Sequence, residues 1–194
     1  MSTHSLRSRA AAGKRLFAAA AASLLMSSGT PVLAQQITME TLLDRIQIED
    51  LLTRYYYDLA RGESHVLSEY FTEDALLDVD GTIARGHEEI AALYQRPESE
   101  PDRESAPRPR NHMLLTNPII EIDGNVARAH VIWTGVINEG VGKPPRLYEQ
   151  GREDTELVKR DGKWLISRRY ISSDSGLPDR FDATWQPRDN PLGD

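Results

Sequence analysis

The sequence contains no cysteine. A disulfide framework, a thiolate metal site and a cysteine nucleophile are therefore excluded, and the fold must be stabilised by a hydrophobic core. The sequence also lacks the GxGxxG, Walker, GxSxG and HExxH motifs. Nothing in it therefore points to a nucleotide-binding protein, a serine hydrolase of the nucleophile-elbow type or a zinc protease.

Extended apolar runs are scarce, and one of them, LFAAAAASLLM, lies near the N terminus. Four basic residues and no acidic ones accompany it within residues 1–34, which end in the small-residue site Val32-Leu33-Ala34. This pattern is typical of a secretory signal peptide. The alternative, a membrane anchor, is disfavoured because the run is about half as long as a spanning helix. The sequence predicts a periplasmic or secreted protein without membrane association after cleavage.

The signal-peptide pattern predicts cleavage after Ala34, because Val32 and Ala34 occupy the small-residue positions before the cut. The mature protein is expected to begin at Gln35. Intact-mass measurement of the exported protein checks this expectation, and an exported chain that retains Met1 would contradict it.

Basic residues are in deficit in the predicted mature chain. Without the four basic residues of the leader, 19 Lys and Arg stand against 30 Asp and Glu, a formal charge of −11. Such a balance disfavours nucleic acid and anionic membranes as partners. The remaining 160 residues (194 less 34) fit a single domain at residues 35–174, followed by an irregular tail at residues 175–194.

Helical signals come first along this domain. Residues 37–61 form an amphipathic pattern with Thr38 as the expected N-cap, and shorter helices are predicted near residues 65–71 and in GHEEIAALY. Between the two short helices, FTEDALLDVDGTIARG reads as a strand with a turn at Asp80-Gly81.

Strand signals follow a Pro-rich, charged segment at residues 95–111, which is predicted to be a lid or a disordered insertion. Turn signals such as Asp123-Gly124 and Asp161-Gly162 separate the strands. The predicted strands cover residues 112–122, 125–138, 146–160 and 163–173. Helices followed by a meander predict an α+β fold with helices on one face of a curved antiparallel sheet.

The order DLLTRYYYDLARGE, YFTEDALLDVDG, RGHEEIAALY, HMLLTNPIIEIDGNVARAHVIW and GREDTELVKRDGKWLISRR resembles the NTF2-like superfamily, specifically its SnoaL-like branch. This resemblance implies a cone-shaped barrel in which three N-terminal helices and the sheet enclose a deep apolar pocket. Superfamily members include scytalone dehydratase, a dehydrochlorinase, polyketide cyclases and ketosteroid isomerases, and others bind or assemble without catalysis. The fold alone therefore does not choose the function.

In the dehydratase and the dehydrochlorinase, a strand histidine paired with an aspartate of the first helix acts as the base. His112 matches that histidine, but Ala60 stands where the aspartate usually lies, and Asp58 is two residues earlier. The resemblance therefore implies His112 as general base. Whether Asp58 can reach the pocket to pair with it, or faces water, is left open by the sequence. A buried structural histidine is the competing interpretation of His112.

Four further side chains are candidates for the pocket. Tyr55 lies in the apolar stripe of the first helix and could donate to a developing oxyanion, or it could be a core wedge. His130, Tyr148 and Arg152 would bind polar groups of a substrate if their strand faces are concave, and would otherwise face solvent or a subunit interface.

Together with these residues, the resemblance implies a cofactor-independent lyase or isomerase, of the dehydratase or formaldehyde-releasing retro-aldol type, acting on a hydrophobic aromatic or polycyclic molecule. No close HxH or HxxxE spacing suggests a metal. The alternative is a non-catalytic periplasmic binding or assembly module, which Ala60 favours. A homodimer is also predicted, since Val131, Trp133 and Ile137 would otherwise form an exposed patch on the convex face.

Overall fold

The computed structural model describes residues 37–61, 64–95 and 110–187 of the 194-residue chain. The predicted signal peptide, nearly all of the predicted lid and residues 188–194 lie outside the described residues. Within the described ranges, no helix is both long enough and apolar enough to cross a membrane.

The described chain forms two α-helices, two short 3-10 helices and six strands. The α-helices are α1 (Met39–Arg61) and α2 (Gly86–Leu93), and the 3-10 helices cover Ser64–Tyr70 and Asp179–Phe181. The strands are β1 (Phe71–Val79), β2 (Thr82–Arg85), β3 (Arg110–Asp123), β4 (Val126–Asn138), β5 (Arg146–Arg160) and β6 (Lys163–Ser175). The predicted α+β class is confirmed, but the second of the three predicted helices is a 3-10 helix.

The six strands form one sheet in the order β2-β1-β6-β5-β4-β3. All neighbours are antiparallel except β1 and β6, which are parallel. Irregularities in the pairing interrupt most ladders, and such bulges bend the strands they occur in. The result is a curved sheet that stays open, with β2 and β3 at its edges. The predicted Asp-Gly turns connect the hairpins as expected.

Helix α1 covers the concave face of this sheet with the stripe that the periodicity predicts. Ile48, Leu52 and Tyr55 are buried, whereas Tyr57 is exposed. The predicted N-cap is confirmed, because the Thr38 hydroxyl accepts a hydrogen bond of 3.2 Å from the backbone N–H of Thr41.

Alternation along β4 and β5 identifies the two faces of the sheet. Val131 and Trp133 are buried in the core under α1, at 3% and 4% exposure. They therefore do not belong to a convex patch, and the sequence-based argument for a dimer was wrong about these two residues. The convex face instead exposes other large apolar side chains, namely Leu114, Ile119 and Leu147. The homodimer itself stays a prediction.

Candidate functional site

A cavity of about 110 Å³ lies on the concave side of the sheet. Side chains from α1, the end of α2, five strands and the segment after β6 converge on it. They are Tyr56, Leu59, Val79, Asp80, Tyr94, Met113, Trp133, Glu149, Ile171, Ser173, Pro178, Arg180 and Phe181. We call this cavity the concave pocket.

A larger depression of about 520 Å³ lies at the turn end of the β3–β4 hairpin. It is lined by residues of β3, β4, β5 and β6, and its polar groups are mainly surface charges such as Glu121, Asp123 and Arg128. The concave pocket is the better candidate for chemistry, because a few polar groups converge there among apolar walls.

Glu149 is the carboxylate that the concave pocket leaves available. It is half-buried on β5, and burial raises its pKa above the usual carboxyl value, although a hydrogen bond with Tyr148 opposes this. Its side chain lies against Gly135 of β4. A Cβ atom at Gly135 would come within 2.5 Å of Glu149 Cγ and 2.8 Å of Tyr148 Cε1. The absence of a side chain at this position therefore makes room for Glu149.

Asp80, the second carboxylate of the lining, is already committed to structure. It is buried at 2% exposure in the turn between β1 and β2. One of its oxygens accepts from the Ser173 backbone N–H at 2.7 Å, and the other accepts from the Ser173 hydroxyl at 2.8 Å. These bonds fix the turn to β6 and leave Asp80 little capacity to act on a ligand.

Two tyrosine hydroxyls, those of Tyr55 in the core and Tyr94 in the pocket lining, are hydrogen-bonded to each other. Tyr94 lines the cavity, whereas Tyr55 is fully buried in the core. Each phenol has one proton, so if Tyr55 donates to Tyr94, the Tyr94 hydroxyl remains free to donate into the cavity. Burial raises the pKa of Tyr94, so this hydroxyl stays protonated at neutral pH.

Beneath these tyrosines lies a buried ion pair. Arg169 Nη2 donates to Glu153 Oε2 at 2.6 Å, and both side chains are at 0% exposure. Glu153 also accepts from Tyr56 at 2.5 Å and from the Thr155 hydroxyl at 3.0 Å. We call Glu153, Arg169, Tyr56 and Thr155 the buried polar cluster.

Arg169 is less fully paired than Glu153. Its guanidinium lies 3.9 Å from the centroid of the Tyr55 ring, a cation–π contact. Burial opposes its charge, but Glu153 and the tyrosine hydroxyls outweigh burial and raise the pKa of Arg169. Nε and Nη1 have no hydrogen-bond partner among the described residues. The cluster therefore links the strands behind the pocket, but the two unpaired N–H groups of Arg169 reduce its contribution to stability.

The first residues after β6 form the roof of the concave pocket. Phe181 is inserted into it at 4% exposure, and the guanidinium of Arg180 lies 4.6 Å from the Phe181 ring centroid. Trp185 Nε1 donates to the Ser173 carbonyl at 3.3 Å. The Thr184 carbonyl packs on Gly81, where φ is +89° and a Cβ would approach within 2.1 Å. The described part of the predicted irregular tail thus lies over the domain.

His112 does not lie in the concave pocket. It is exposed near the start of β3 and pairs with Val136, so its side chain is on the convex face. The adjacent residue, Met113, points into the cavity instead. The role predicted for His112 stays a prediction that this geometry does not favour, because strand alternation places its ring on the other side of the sheet.

The other predicted site residues are divided between the two faces. Tyr55 is behind the pocket wall, and Tyr148 lies beside Glu149. Asp58 accepts a hydrogen bond of 2.5 Å from Tyr70, outside the pocket lining. Burial, with this bond, raises the pKa of Tyr70 to about 12.

His130 and Arg152 lie on the convex face, and each contacts a carboxylate there. His130 Nδ1 is 2.8 Å from Asp154, and Arg152 Nη2 is 3.1 Å from Asp174. The structure therefore brings Tyr55 and Tyr148 near the cavity but not these two residues. Their predicted substrate contacts required them to lie on the concave face, but on β4 and β5 the neighbouring residues occupy that face.

Sequence reasoning missed Glu149, Tyr94 and Arg180 as pocket residues. A signal for Glu149 was present, because strict alternation places it on the same strand face as Leu157, whose apolar side chain marks the inward face. Tyr94 lies just after α2, and Arg180 lies in the segment after β6. At such positions the periodicity of a helix or strand does not predict where a side chain points.

The chain matches the SnoaL-like domain family over residues 40–170. No curated protein sequence matches it. Among the described residues, no group of three or more metal-binding side chains is placed to hold a metal ion.

Several solved structures share the fold at low sequence identity. An NTF2-like protein with a cystatin-like fold from Novosphingobium aromaticivorans is 22% identical, with a TM-score of 0.58, over 76% of this chain and 92% of its own. A protein of the same organism provisionally assigned as a scytalone dehydratase is 19% identical, with a TM-score of 0.56, over 71% and 88%. Another, provisionally assigned as an aromatic ring hydroxylase, is 21% identical, with a TM-score of 0.53, over 74% and 94%.

Proposed function

Since the chain belongs to the family of SnoaL-like domains, we propose that it is a cofactor-independent lyase or isomerase that removes a proton from a hydrophobic cyclic molecule in the concave pocket. The family match supports a small-molecule enzyme or binder in general. The observation that carries the finer proposal is the placement of the half-buried carboxylate of Glu149 and the phenol of Tyr94 in the lining of the same cavity.

Glu149 is the proposed base. A carboxylate whose pKa is raised by burial is a stronger base than a solvated one, and a base is most effective when its pKa approaches the working pH. The carboxylate must lose its proton to solvent between turnovers, and half-burial at the cavity wall permits this.

Tyr94 is the proposed hydrogen-bond donor to the oxygen on which negative charge develops. In this proposal Tyr55 is the donor in its hydrogen bond with Tyr94, and the Arg169 guanidinium over the Tyr55 ring favours negative charge on both phenols. Donors in a preorganised, water-poor site stabilise an enolate more than solvent does. One base and one donor are enough for proton transfer next to a carbonyl, or for elimination.

The size of the cavity restricts the substrate. At about 110 Å³ it is small compared with ligand pockets of about 300–1,000 Å³, and Phe181 closes one side of it. A single substituted ring suits this volume better than a polycyclic molecule.

Hydrogen–deuterium exchange tests the proposal without knowledge of the natural substrate. A panel of cyclic and aryl ketones in D₂O should exchange their α-hydrogens faster with the enzyme than in buffer, as followed by proton NMR. Met113→Trp, which fills the cavity, should abolish the acceleration. Ketones that bind without any accelerated exchange would overturn the enzymatic proposal and favour the non-catalytic binding module.

Gly135→Ala is expected to reduce this exchange by about 10²-fold, the order of effect that a 1 Å misplacement of a catalytic group produces. The new methyl group would displace the Glu149 side chain, since 2.5 Å is too close for two carbon atoms. The neighbouring atoms belong to side chains that can move, so the melting temperature should change little. Gly140→Ala is the matched control, because nothing lies within 4 Å of that position. Unchanged exchange in Gly135→Ala would contradict the placement of Glu149.

A further inference from the structure

Arg180 is the only cationic side chain that lines the concave pocket within the described residues. It comes from the segment after β6, and its guanidinium packs over Phe181, the roof of the cavity. No carboxylate of the described residues lies within 4 Å of it, in contrast to Arg152 on the convex face, which pairs with Asp174. The roof therefore presents the exposed guanidinium of Arg180 to the cavity mouth, without an ionic partner among the described residues.

The charge of Arg180 acts on groups inside the cavity. It favours the ionised form of Glu149 and also of Tyr94, which places the guanidinium within electrostatic range of both proposed reacting groups. Asp80 lines the same pocket but forms no ion pair with Arg180, and its oxygens accept from Ser173 instead. A guanidinium with free donors at the edge of an apolar cavity is suited to a planar carboxylate, which can accept two parallel N–H bonds.

We propose that the concave pocket is selective for cyclic molecules that carry a carboxylate, and that Arg180 binds this carboxylate while the ring lies between Trp133, Met113 and Phe181. This inference rests on the proposed function, because it names the substrate class of the same pocket. It makes the segment after β6 a determinant of specificity: Phe181 limits the size of the ring, and Arg180 selects its charge.

The proposal separates Arg180 from the reacting groups. Arg180 contacts a substituent that does not react, so its removal should weaken the binding of acids and leave the binding of their neutral analogues unchanged. Glu149 and Tyr94 should instead act on the proton transfer itself. A structural role for Arg180 would weaken both kinds of ligand together.

The experiment compares acids with amides of nearly the same shape: benzoate with benzamide, and phenylacetate with phenylacetamide, by ligand-observed NMR titration of the full chain. The wild-type protein should bind each acid about tenfold more tightly than its amide, the scale of a charge-assisted hydrogen bond. Arg180→Gln should abolish this preference without changing amide affinity, and Arg180→Lys should retain part of it. Arg168→Gln, which removes an exposed cation from the convex face, is the matched control.

The outcomes distinguish this inference from the function on which it rests. Binding of the amides that Met113→Trp removes would support the concave pocket as the ligand site. If, in that case, the acids bind no more tightly than the amides, or if Arg180→Gln still prefers the acids, the carboxylate selectivity is overturned. If neither acids nor amides bind the wild-type protein, both the selectivity and the proposed ligand site are overturned.

Discussion

A Glu149→Gln enzyme is expected to catalyse hydrogen exchange, or turnover of a substrate found by screening, about 10²–10⁴-fold more slowly than the wild type. Glutamine has the shape of glutamate and keeps the packing against Gly135, but it cannot accept the proton. The initial rate measured by NMR under identical conditions checks this. His112→Ala, on the convex face, is the control and should leave the rate within about twofold.

The pH dependence of the rate should come from the same group. Glu149 is active when deprotonated, and burial raises its pKa, so the wild-type rate should rise with pH through a value above the usual carboxyl range. Glu149→Gln should lose this dependence. A Glu149→Gln enzyme with wild-type rate, or a His112→Ala enzyme that loses it, would contradict Glu149 as the base and restore His112 as the candidate.

Stability provides an independent check on Glu149. Its pKa is higher in the folded than in the unfolded chain, so stability falls as the pH rises from the unfolded to the folded pKa; the cost is absent below the unfolded value and complete above the folded value. At neutral pH, Glu149→Gln should therefore be as stable as the wild type or slightly more stable. A substitution that lowers the rate without lowering stability indicates that the residue acts in function and is not required for the fold.

Arg169→Met is expected to destabilise the domain by about 3–5 kcal/mol, because it leaves the carboxylate of Glu153 buried without its counter-ion. The Glu153 side chain is fully buried, and Tyr56 and Thr155 would be its remaining partners. Domains of this size have about 5–15 kcal/mol of stability in total, so the variant should be close to unfolding at moderate temperature. Urea denaturation followed by circular dichroism measures the change.

The double variant Arg169→Met with Glu153→Leu should recover much of this loss, since it removes both buried charges together. The recovery is helped because Arg169 leaves Nε and Nη1 unsatisfied in the wild type, so its removal also removes that cost. A single variant that loses less than about 1 kcal/mol, or a double variant no better than the single, would show that the ion pair contributes little to stability.

The sequence predicted the helices and strands well because its signals are local. The stripe of α1, the Asp-Gly turns and the four long strands follow from periodicity and turn chemistry within each segment, and each was found near its predicted bounds. The sequence predicted the short second helix but not that it is a 3-10 helix. A seven-residue 3-10 helix has no apolar periodicity that distinguishes it from an α-helix.

The candidate site was harder to predict because it depends on which face of each strand points inward. A shift of one residue exchanges all side chains between the faces, and His112 and Met113 differ by that one step. On β6 the pairing is irregular between Ile166 and Arg168, so both Ile166 and Arg169 point inward although strict alternation would place Arg168 there. Such an irregularity has no signal in a single sequence.

The order of strands in the sheet has a consequence for how the protein folds. β1 has only the four-residue β2 on one side, and its other neighbour is β6, the last strand among the described residues. The β1–β2 hairpin therefore cannot join the β3–β5 meander until nearly the whole chain is present. Until then β1 and β5 are both open edges that can pair with other chains. Contacts between such distant segments slow folding, so aggregation should compete most strongly with folding in chains that stop before β6.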